Sequence, residues 1–118
     1  MKLITAIVRP EKLDELIPAL IGHGVRGLTV SDVRGFGAQY GQLVGAASRV
    51  TGRPGGHTAV LLAKVRLDLL ALDDDAETIV EVIAKHARTE TIGDGKIWVT
   101  PVDSALRVRT GERDRAAV

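Results

Sequence analysis

The spacing of apolar residues divides the first third of the chain into a strand and a helix. Residues Lys2–Val8 are rich in isoleucine and valine and end at Arg9-Pro10, which predicts a strand followed by a helix start. Apolar residues then recur at helical spacing until Gly22 and Gly24. Pro18 lies inside this helix and should cost up to ~3 kcal/mol or force a kink, but the helix is still predicted to run to the glycines. The helical stripe consists of Leu13, Leu16, Ile17, Leu20 and Ile21.

Three further strands follow from the same kind of pattern. Residues 25–34 contain β-branched residues and run into Gly35-Phe36-Gly37, which predicts a second strand. Residues 59–71 alternate most cleanly, with Val65, Leu67 and Leu69 on one face and Lys64, Arg66 and Asp68 on the other. Residues 96–100 predict a short fourth strand that Pro101 ends, and residues 102–106 predict one helical turn.

A second helix is predicted after the third strand. Its acidic start at residues 73–75 suits the N-terminus of a helix, where carboxylates cap backbone N–H groups and complement the helix dipole. A magnesium site is the less favoured interpretation of the three aspartates. The apolar stripe of this helix consists of Ala76, Ile79, Val80, Ile83 and Ala87.

The element order predicts an α+β protein of the ferredoxin-like class. One domain over residues 1–118 with the order β-α-β-β-α-β corresponds to the split βαβ arrangement, in which both helices cover one face of the sheet. The other face is left partly apolar, which predicts a homo-oligomer. Periodicity disappears at about residues 37–58, and so long a glycine-rich loop in a small domain is typically functional or disordered.

Composition narrows the function classes. The net charge is +1, which does not favour a nucleic-acid partner, and there is no cysteine for a disulfide or a thiolate metal site. No apolar run approaches the ~20 residues of a membrane span. We therefore expect a cytoplasmic protein that does not insert into a membrane.

Two short segments carry candidate binding chemistry. Residues 91–96 place Gly93 and Gly95 around an aspartate and end in Lys96, so that bare N–H groups and an ammonium can surround a phosphate. The segment is not a P-loop, and a simple turn with a solvated lysine remains an alternative. In residues 107–112, an extended backbone would place the guanidiniums of Arg107 and Arg109 roughly 7 Å apart on one side.

These motifs, in this order, resemble the PII signal-transduction proteins of nitrogen regulation. The resemblance is carried by residues 27–30 (GLTV), 35–37 (GFG), 92–97 (IGDGKI) and 107–112 (RVRTGE). It implies a compact homotrimer that binds ATP or ADP, or AMP, in the clefts between subunits. A mobile T-loop, here about residues 37–58, would dock on client proteins, and residues 107–118 would form the C-terminal segment.

The resemblance also implies a role for individual residues. Ile7, Thr29, Gly35 and Gly37 would line the adenosine part of the site. The phosphates would be held by Gly93, Asp94, Gly95 and Lys96, with Arg107 and Arg109 reaching in from a neighbour. Gln39 would bind Mg²⁺ together with 2-oxoglutarate, and Arg9 and Lys64 would pair with the carboxylate of that effector.

This chain departs from the family pattern at several positions. Ala38 stands where the family has an arginine, and Thr91 stands where it usually has a lysine, which predicts weaker triphosphate binding relative to ADP or AMP. The loop is several residues longer than usual, and Tyr40 does not match the tyrosine that the family modifies. An ammonium channel is the expected client, and a bicarbonate, carboxysome-associated or metal-transport client is the alternative.

Two other function classes remain open. A slow ATP hydrolase would use the same glycines, lysine and arginines, but no residue is evident that would position the attacking water. A trimeric metal-tolerance protein of the same fold would have no use for the phosphate motifs, and this chain has neither cysteine nor clustered histidines. No catalytic residue is predicted.

Overall fold

Strands and helices form where the alternating patterns predict them. The computed structural model describes residues 1–37, 48–50 and 59–118, with side chains described for 1–37 and 61–118. Short 3-10 turns at Pro10–Lys12 and Asp114–Ala117 add to the regular elements. In chain order those elements are β1 (Lys2–Val8), α1 (Leu13–Gly22), β2 (Thr29–Gly35), β3 (Ser48–Val50), β4 (Ala59–Ala71), α2 (Asp73–Ala87) and β5 (Lys96–Pro101).

The main strands form an antiparallel sheet in the order β2-β4-β1-β5. In its register, Thr5 of β1 lies between Asp68 of β4 and Trp98 of β5. This β-α-β-β-α-β arrangement confirms the predicted ferredoxin-like class. The three-residue strand β3, which the sequence did not predict, lies within the predicted loop 37–58 and pairs with the start of β4. The rest of that loop lies outside the described residues.

The core lies between the helices and one face of the sheet. Alternate residues of β1 and β4, such as Ile4 and Leu67, are fully buried there. Leu16 and Leu20 of α1 and Ile83 of α2 close the layer from the other side. The predicted stripes are thus confirmed in the main, although Ile21 is 63% exposed and Val82, which was not predicted, is buried.

The opposite face of the sheet, the open face, carries polar and apolar side chains together. The Thr5 hydroxyl donates to an Asp68 carboxylate oxygen at 2.8 Å, and Arg66 donates to both Asp68 oxygens at 2.8 and 3.2 Å. These bonds lower the pKa of Asp68, and the hydrogen bond from Arg66 has the largest effect. Leu70 and Trp98 remain 36% and 40% exposed, which agrees with the predicted apolar surface.

In the first half of the chain, the start of β2 differs from prediction, whereas the extent of α1 agrees with it. Strand β2 begins at Thr29 rather than residue 25, because residues 24 and 25 still cap α1. Gly24, with φ +85°, donates its N–H to Ile21, and Val25 donates to Leu20, in the pattern of a Schellman cap. Helix α1 continues through Pro18, which is exposed, so that the freed carbonyl one turn earlier can be hydrated.

The structure of the C-terminal segment also differs from the prediction. Residues 102–106 form no helical turn; Val102 instead donates its N–H to the Met1 carbonyl, and Leu106 forms a β-bridge with Arg113. Residues 107–112 are a tight turn rather than an extended segment. Gly111, at φ +73°, allows this reversal. We refer to residues 105–114 as the C-terminal turn.

The acidic run 73–75 lies in the first turn of α2 but provides no side-chain cap. Leu72 occupies the N-cap position, and the Asp73 carboxylate lies 2.8 Å from the Met1 amino nitrogen. The capping prediction was therefore wrong, although the charges still complement the helix dipole. Among the described residues, no cluster of three or more histidine or acidic side chains could hold a metal ion. No described helix is long and apolar enough to cross a membrane.

Candidate functional site

The glycine loop, residues 89–95, is folded around one carboxylate. Asp94 accepts backbone N–H groups from Thr89 at 2.8 Å and Glu90 at 2.9 Å, and it also accepts the Thr89 hydroxyl. Arg9 donates its Nε to the same carboxylate at 3.0 Å. The Thr89 hydroxyl bond is the main cause of the strongly lowered pKa of Asp94. Asp94 therefore remains ionised and holds the shape of the loop.

The loop is also fixed against the end of β1. Arg9, whose side chain is only 16% exposed, donates to the carbonyl oxygens of Ile92 at 2.8 Å and Thr91 at 3.4 Å. Gly95 has φ +95°, and a Cβ at this position would lie 1.7 Å from the Ile7 carbonyl oxygen. Only glycine fits so close to β1, and the backbone of the loop is consequently held beside the cavity that β1 borders.

A cavity of about 670 Å³, the smaller cavity, lies between the glycine loop and the ends of β1 and β2. Lys64 lines it and donates its Nζ to the Gly93 carbonyl at 2.6 Å. Burial and then the neighbouring Arg9 lower the pKa of Lys64, so an anion beside it would be stabilised electrostatically. The predicted site residues that line this cavity are Ile7, Gly35, Gly37, Lys64, Gly93, Gly95 and Lys96.

Sequence reasoning missed five residues of the smaller cavity, of which Phe36 and Arg66 bear most on ligand binding. Phe36, 68% exposed, lies between the two glycines that were selected, and Arg66 extends from β4. An aromatic residue between two glycines at the end of a strand was a usable signal, because it can stack on a planar ring. Arg66 was recognised only as part of the polar face of β4.

A second cavity of about 980 Å³, the larger cavity, is lined by two more of the predicted cations. Thr29, Arg107 and Arg109 line it. Thr29 begins β2 and Gly35 ends it, so the two residues lie about 20 Å apart at the rise of an extended strand. One adenosine cannot contact both residues of the same chain, and the structure therefore groups Thr29 with the arginines. Arg26 and Arg115, which were not predicted, also line the larger cavity.

Two of the described residues of the predicted site lie elsewhere. Arg9 and Asp94 line neither cavity, and their side chains are engaged in the glycine loop. Gln39 lies outside the described residues. Chemically, the smaller cavity offers glycine backbone, two lysines and two arginines. The larger one offers four arginines against two aspartates. In both cavities cations outnumber carboxylates, so both are suited to anions.

We expect Asp94→Ala to lower the free energy of unfolding by about 2 kcal/mol at neutral pH, because several bonds to a charged acceptor are lost. The folded state depresses the Asp94 pKa, so this contribution is present above the ordinary aspartate range and is lost as the pH falls. Urea unfolding at matched protein concentration measures the free energy of unfolding of the variant and of wild type. The difference between the two should become smaller below about pH 4.

Asp103→Ala is the matched control, because Asp103 is exposed and makes no side-chain bond among the described residues. Its unfolding free energy should stay within about 0.5 kcal/mol of wild type. Equal stability of the two variants at neutral pH would contradict the role given to Asp94.

Comparison with known proteins agrees with these features. A family model described as "Nitrogen regulatory protein P-II" matches residues 1–112. The chain is 43% identical to "Nitrogen regulatory protein P-II" of Synechocystis sp. over 118 residues, which is all of both chains. It is 44% identical to "Nitrogen regulatory protein P-II 2" of Methanothermobacter thermautotrophicus over 100% of this chain and 97% of that protein. It is 44% identical to the Arabidopsis thaliana "Nitrogen regulatory protein P-II homolog" over 97% of this chain and 56% of that protein.

Proposed function

The chain belongs to the nitrogen regulatory protein P-II family, and from this premise we propose that it is a regulator that binds an adenine nucleotide between two copies of itself. It acts in signal transduction and not as an enzyme. Nucleotide and effector occupancy would change the conformation of the loop at residues 37–58, which then binds a client protein. A ligand can shift such a loop only by its differential affinity for the loop's states.

The observation that carries the proposal is the division of the predicted nucleotide residues between two cavities. Gly35, Gly37, Gly95 and Lys96 line the smaller cavity, whereas Thr29, Arg107 and Arg109 line the larger one. A cleft in which the smaller cavity of one copy meets the larger cavity of the next would contain the complete set. We therefore propose that each nucleotide is bound by two chains, as in a homotrimer with three equivalent clefts.

The open face supports the same assembly. Both carboxylate oxygens of Asp68 on this face already accept hydrogen bonds from Thr5 and Arg66, so burying the carboxylate would not leave it unpaired. Leu70 and Trp98 beside it are exposed apolar groups that another copy of the chain would cover. We propose that the copies pack through this face.

The glycine loop would hold the phosphates in this assembly. Its backbone is fixed by Asp94 and Arg9 before any ligand arrives, so little ordering cost would accompany binding. Lys96 would supply an ammonium, and Arg107 and Arg109 of the neighbour would supply guanidiniums, which suit phosphate oxygens. Phe36 would contact the base.

The effector would be a small dicarboxylate such as 2-oxoglutarate, bound beside the phosphates with Mg²⁺ and Gln39. Lys64 is the described residue that fits this role best, because it lines the smaller cavity and its ammonium lies beside the glycine loop, 2.6 Å from the Gly93 carbonyl. Arg9 would act indirectly by fixing the glycine loop, since its guanidinium already binds Asp94 and two carbonyls. An ammonium channel is the proposed client, with another transporter or enzyme as the alternative.

Calorimetry with ATP, ADP and AMP, each with and without Mg²⁺ and 2-oxoglutarate, tests this function. We expect Mg²⁺ and 2-oxoglutarate together to tighten ATP binding by about tenfold or more. Lys64→Met should remove most of that gain, because the cation proposed to pair with the effector carboxylate is lost. Lys85→Met, on the exposed side of α2, is the control and should retain it.

Two results would contradict the proposal. The absence of binding by all three nucleotides at millimolar concentration would exclude the nucleotide site. Release of inorganic phosphate over many turnovers during prolonged incubation with ATP would instead identify a slow hydrolase. An unchanged effect of 2-oxoglutarate in Lys64→Met would exclude only the role of Lys64.

A further inference from the structure

The C-terminal turn returns the chain to the larger cavity. Arg107 donates its N–H to the Glu112 carbonyl at 2.8 Å, and Asp114 donates its N–H to the Ala105 carbonyl at 2.8 Å. The Asp114 carboxylate also accepts the Ala105 N–H at 3.1 Å. The 3-10 turn that starts at Asp114 is therefore held beside the base of the C-terminal turn, and Arg115 lies on it.

The two arginines that flank Asp114 differ in placement. Arg115 lines the larger cavity together with Arg107 and Arg109, whereas Arg113 lines neither cavity. Both are exposed side chains, and neither makes a side-chain bond or ion pair within the described part of the chain. The chain thus offers a matched pair of cations, one inside the cavity and one outside it.

The charge balance of the larger cavity gives Arg115 a reason to bind a ligand. Arg107 is already partly neutralised by Glu112, whose carboxylate lies 3.4 Å from its Nη1. Asp68 in the same cavity is engaged by Arg66. Asp75 also lines the cavity, but Arg109 and Arg115 form no ion pair with any carboxylate in the described part of the chain. Two guanidiniums that line the same cavity without a carboxylate partner attract polyphosphates.

We propose that Arg115 is a third phosphate-binding arginine, which acts beside Arg107 and Arg109 on the nucleotide held by the neighbouring copy. This inference rests on the proposed function, and it assigns selectivity among nucleotides to a residue outside the motifs. Because the ligand's charge increases with each phosphate, Arg115 favours ATP over ADP and ADP over AMP.

Arg115→Gln tests the assignment, with Arg113→Gln as the control of equal charge change on the same segment. We expect Arg115→Gln to raise the Kd for ATP about five- to tenfold, that for ADP less, and that for AMP less than twofold. Arg113→Gln should leave all three within about twofold of wild type. Arg115→Lys should recover part of the ATP affinity, because it restores charge without the planar fork.

Circular dichroism and thermal unfolding of each variant establish that the fold is retained. The inference is overturned if Arg115→Gln and Arg113→Gln bind ATP with equal affinity, or if Arg115→Gln weakens AMP as much as ATP. If wild-type protein binds none of the three nucleotides, the proposed function is wrong, and the inference about Arg115 is wrong as well. Normal wild-type binding with an unaffected Arg115→Gln overturns the role of Arg115 alone.

Discussion

Gly95→Ala is expected to be the most damaging single change at the site, with a loss of at least about 3 kcal/mol of unfolding free energy. Two costs combine at this position. The residue adopts φ +95°, which side chains rarely tolerate, and the added Cβ would lie 1.7 Å from the Ile7 carbonyl oxygen. That oxygen belongs to the central strand β1, so the glycine loop must move away from the strand.

Gly24→Ala separates the two costs. Gly24 has a similar φ of +85°, but a Cβ there meets no atom within 4 Å. Gly24→Ala should therefore lower the free energy of unfolding by only about 1 kcal/mol, because it places a side chain on a left-handed backbone but causes no clash. Urea unfolding of both variants at one protein concentration gives the comparison. Equal losses would show that contact with β1 contributes nothing, and the loop geometry proposed above would be wrong.

Gly95→Ala should also lose nucleotide binding under conditions in which it remains folded. Displacement of the loop carries Gly93 and Lys96 away from the smaller cavity, so several phosphate contacts are lost together. We expect ATP affinity to fall by about a hundredfold or more at a temperature where circular dichroism shows a native fold. Retention of wild-type ATP affinity would mean that the glycine loop does not hold the phosphates.

The fold was largely predictable because its elements depend on local patterns. Strand β4 and helix α2 begin and end where alternation and the apolar stripe place them. The C-terminal turn was not predictable in the same way, since alternation around Arg107 fits an extended strand equally well. What decides its shape is the left-handed Gly111 and the pairing of Leu106 with Arg113, which local periodicity does not encode.

The arrangement of the candidate site was predictable only in part. The resemblance already assigned Lys96 and Arg107 to different chains, and they line separate cavities. It grouped Thr29 with Gly35, however, and these two residues also line separate cavities. Asp94 illustrates the same limit. Its position within a glycine-rich motif indicated a ligand contact, whereas its carboxylate is engaged by Thr89, Glu90 and Arg9. Thr89 and Glu90 are close to Asp94 in the sequence, but Arg9 is 85 residues away and comes near through the pairing of β1 with β5.

A site shared between two chains predicts that two inactive variants restore each other. Lys96→Ala disables the smaller cavity, and Arg107→Ala disables the larger one. Each variant alone should bind ATP about thirty- to a hundredfold more weakly, because a charged contact to phosphate is lost. Arg88→Ala, at the end of α2, removes an exposed arginine outside both cavities and should bind normally.

Equal amounts of the two variants, unfolded and refolded together, should regain high-affinity ATP sites. A cleft is intact when one chain supplies Lys96 and its neighbour supplies Arg107, so random assembly restores about a quarter of the wild-type sites. Calorimetry of the mixture measures that stoichiometry, and differently tagged chains purified together demonstrate that mixing occurred. If each nucleotide were bound within one chain, every chain in the mixture would still carry a defect. Mixed oligomers without any high-affinity site would therefore exclude the shared cleft, whereas recovery of such sites cannot arise from a site within one chain.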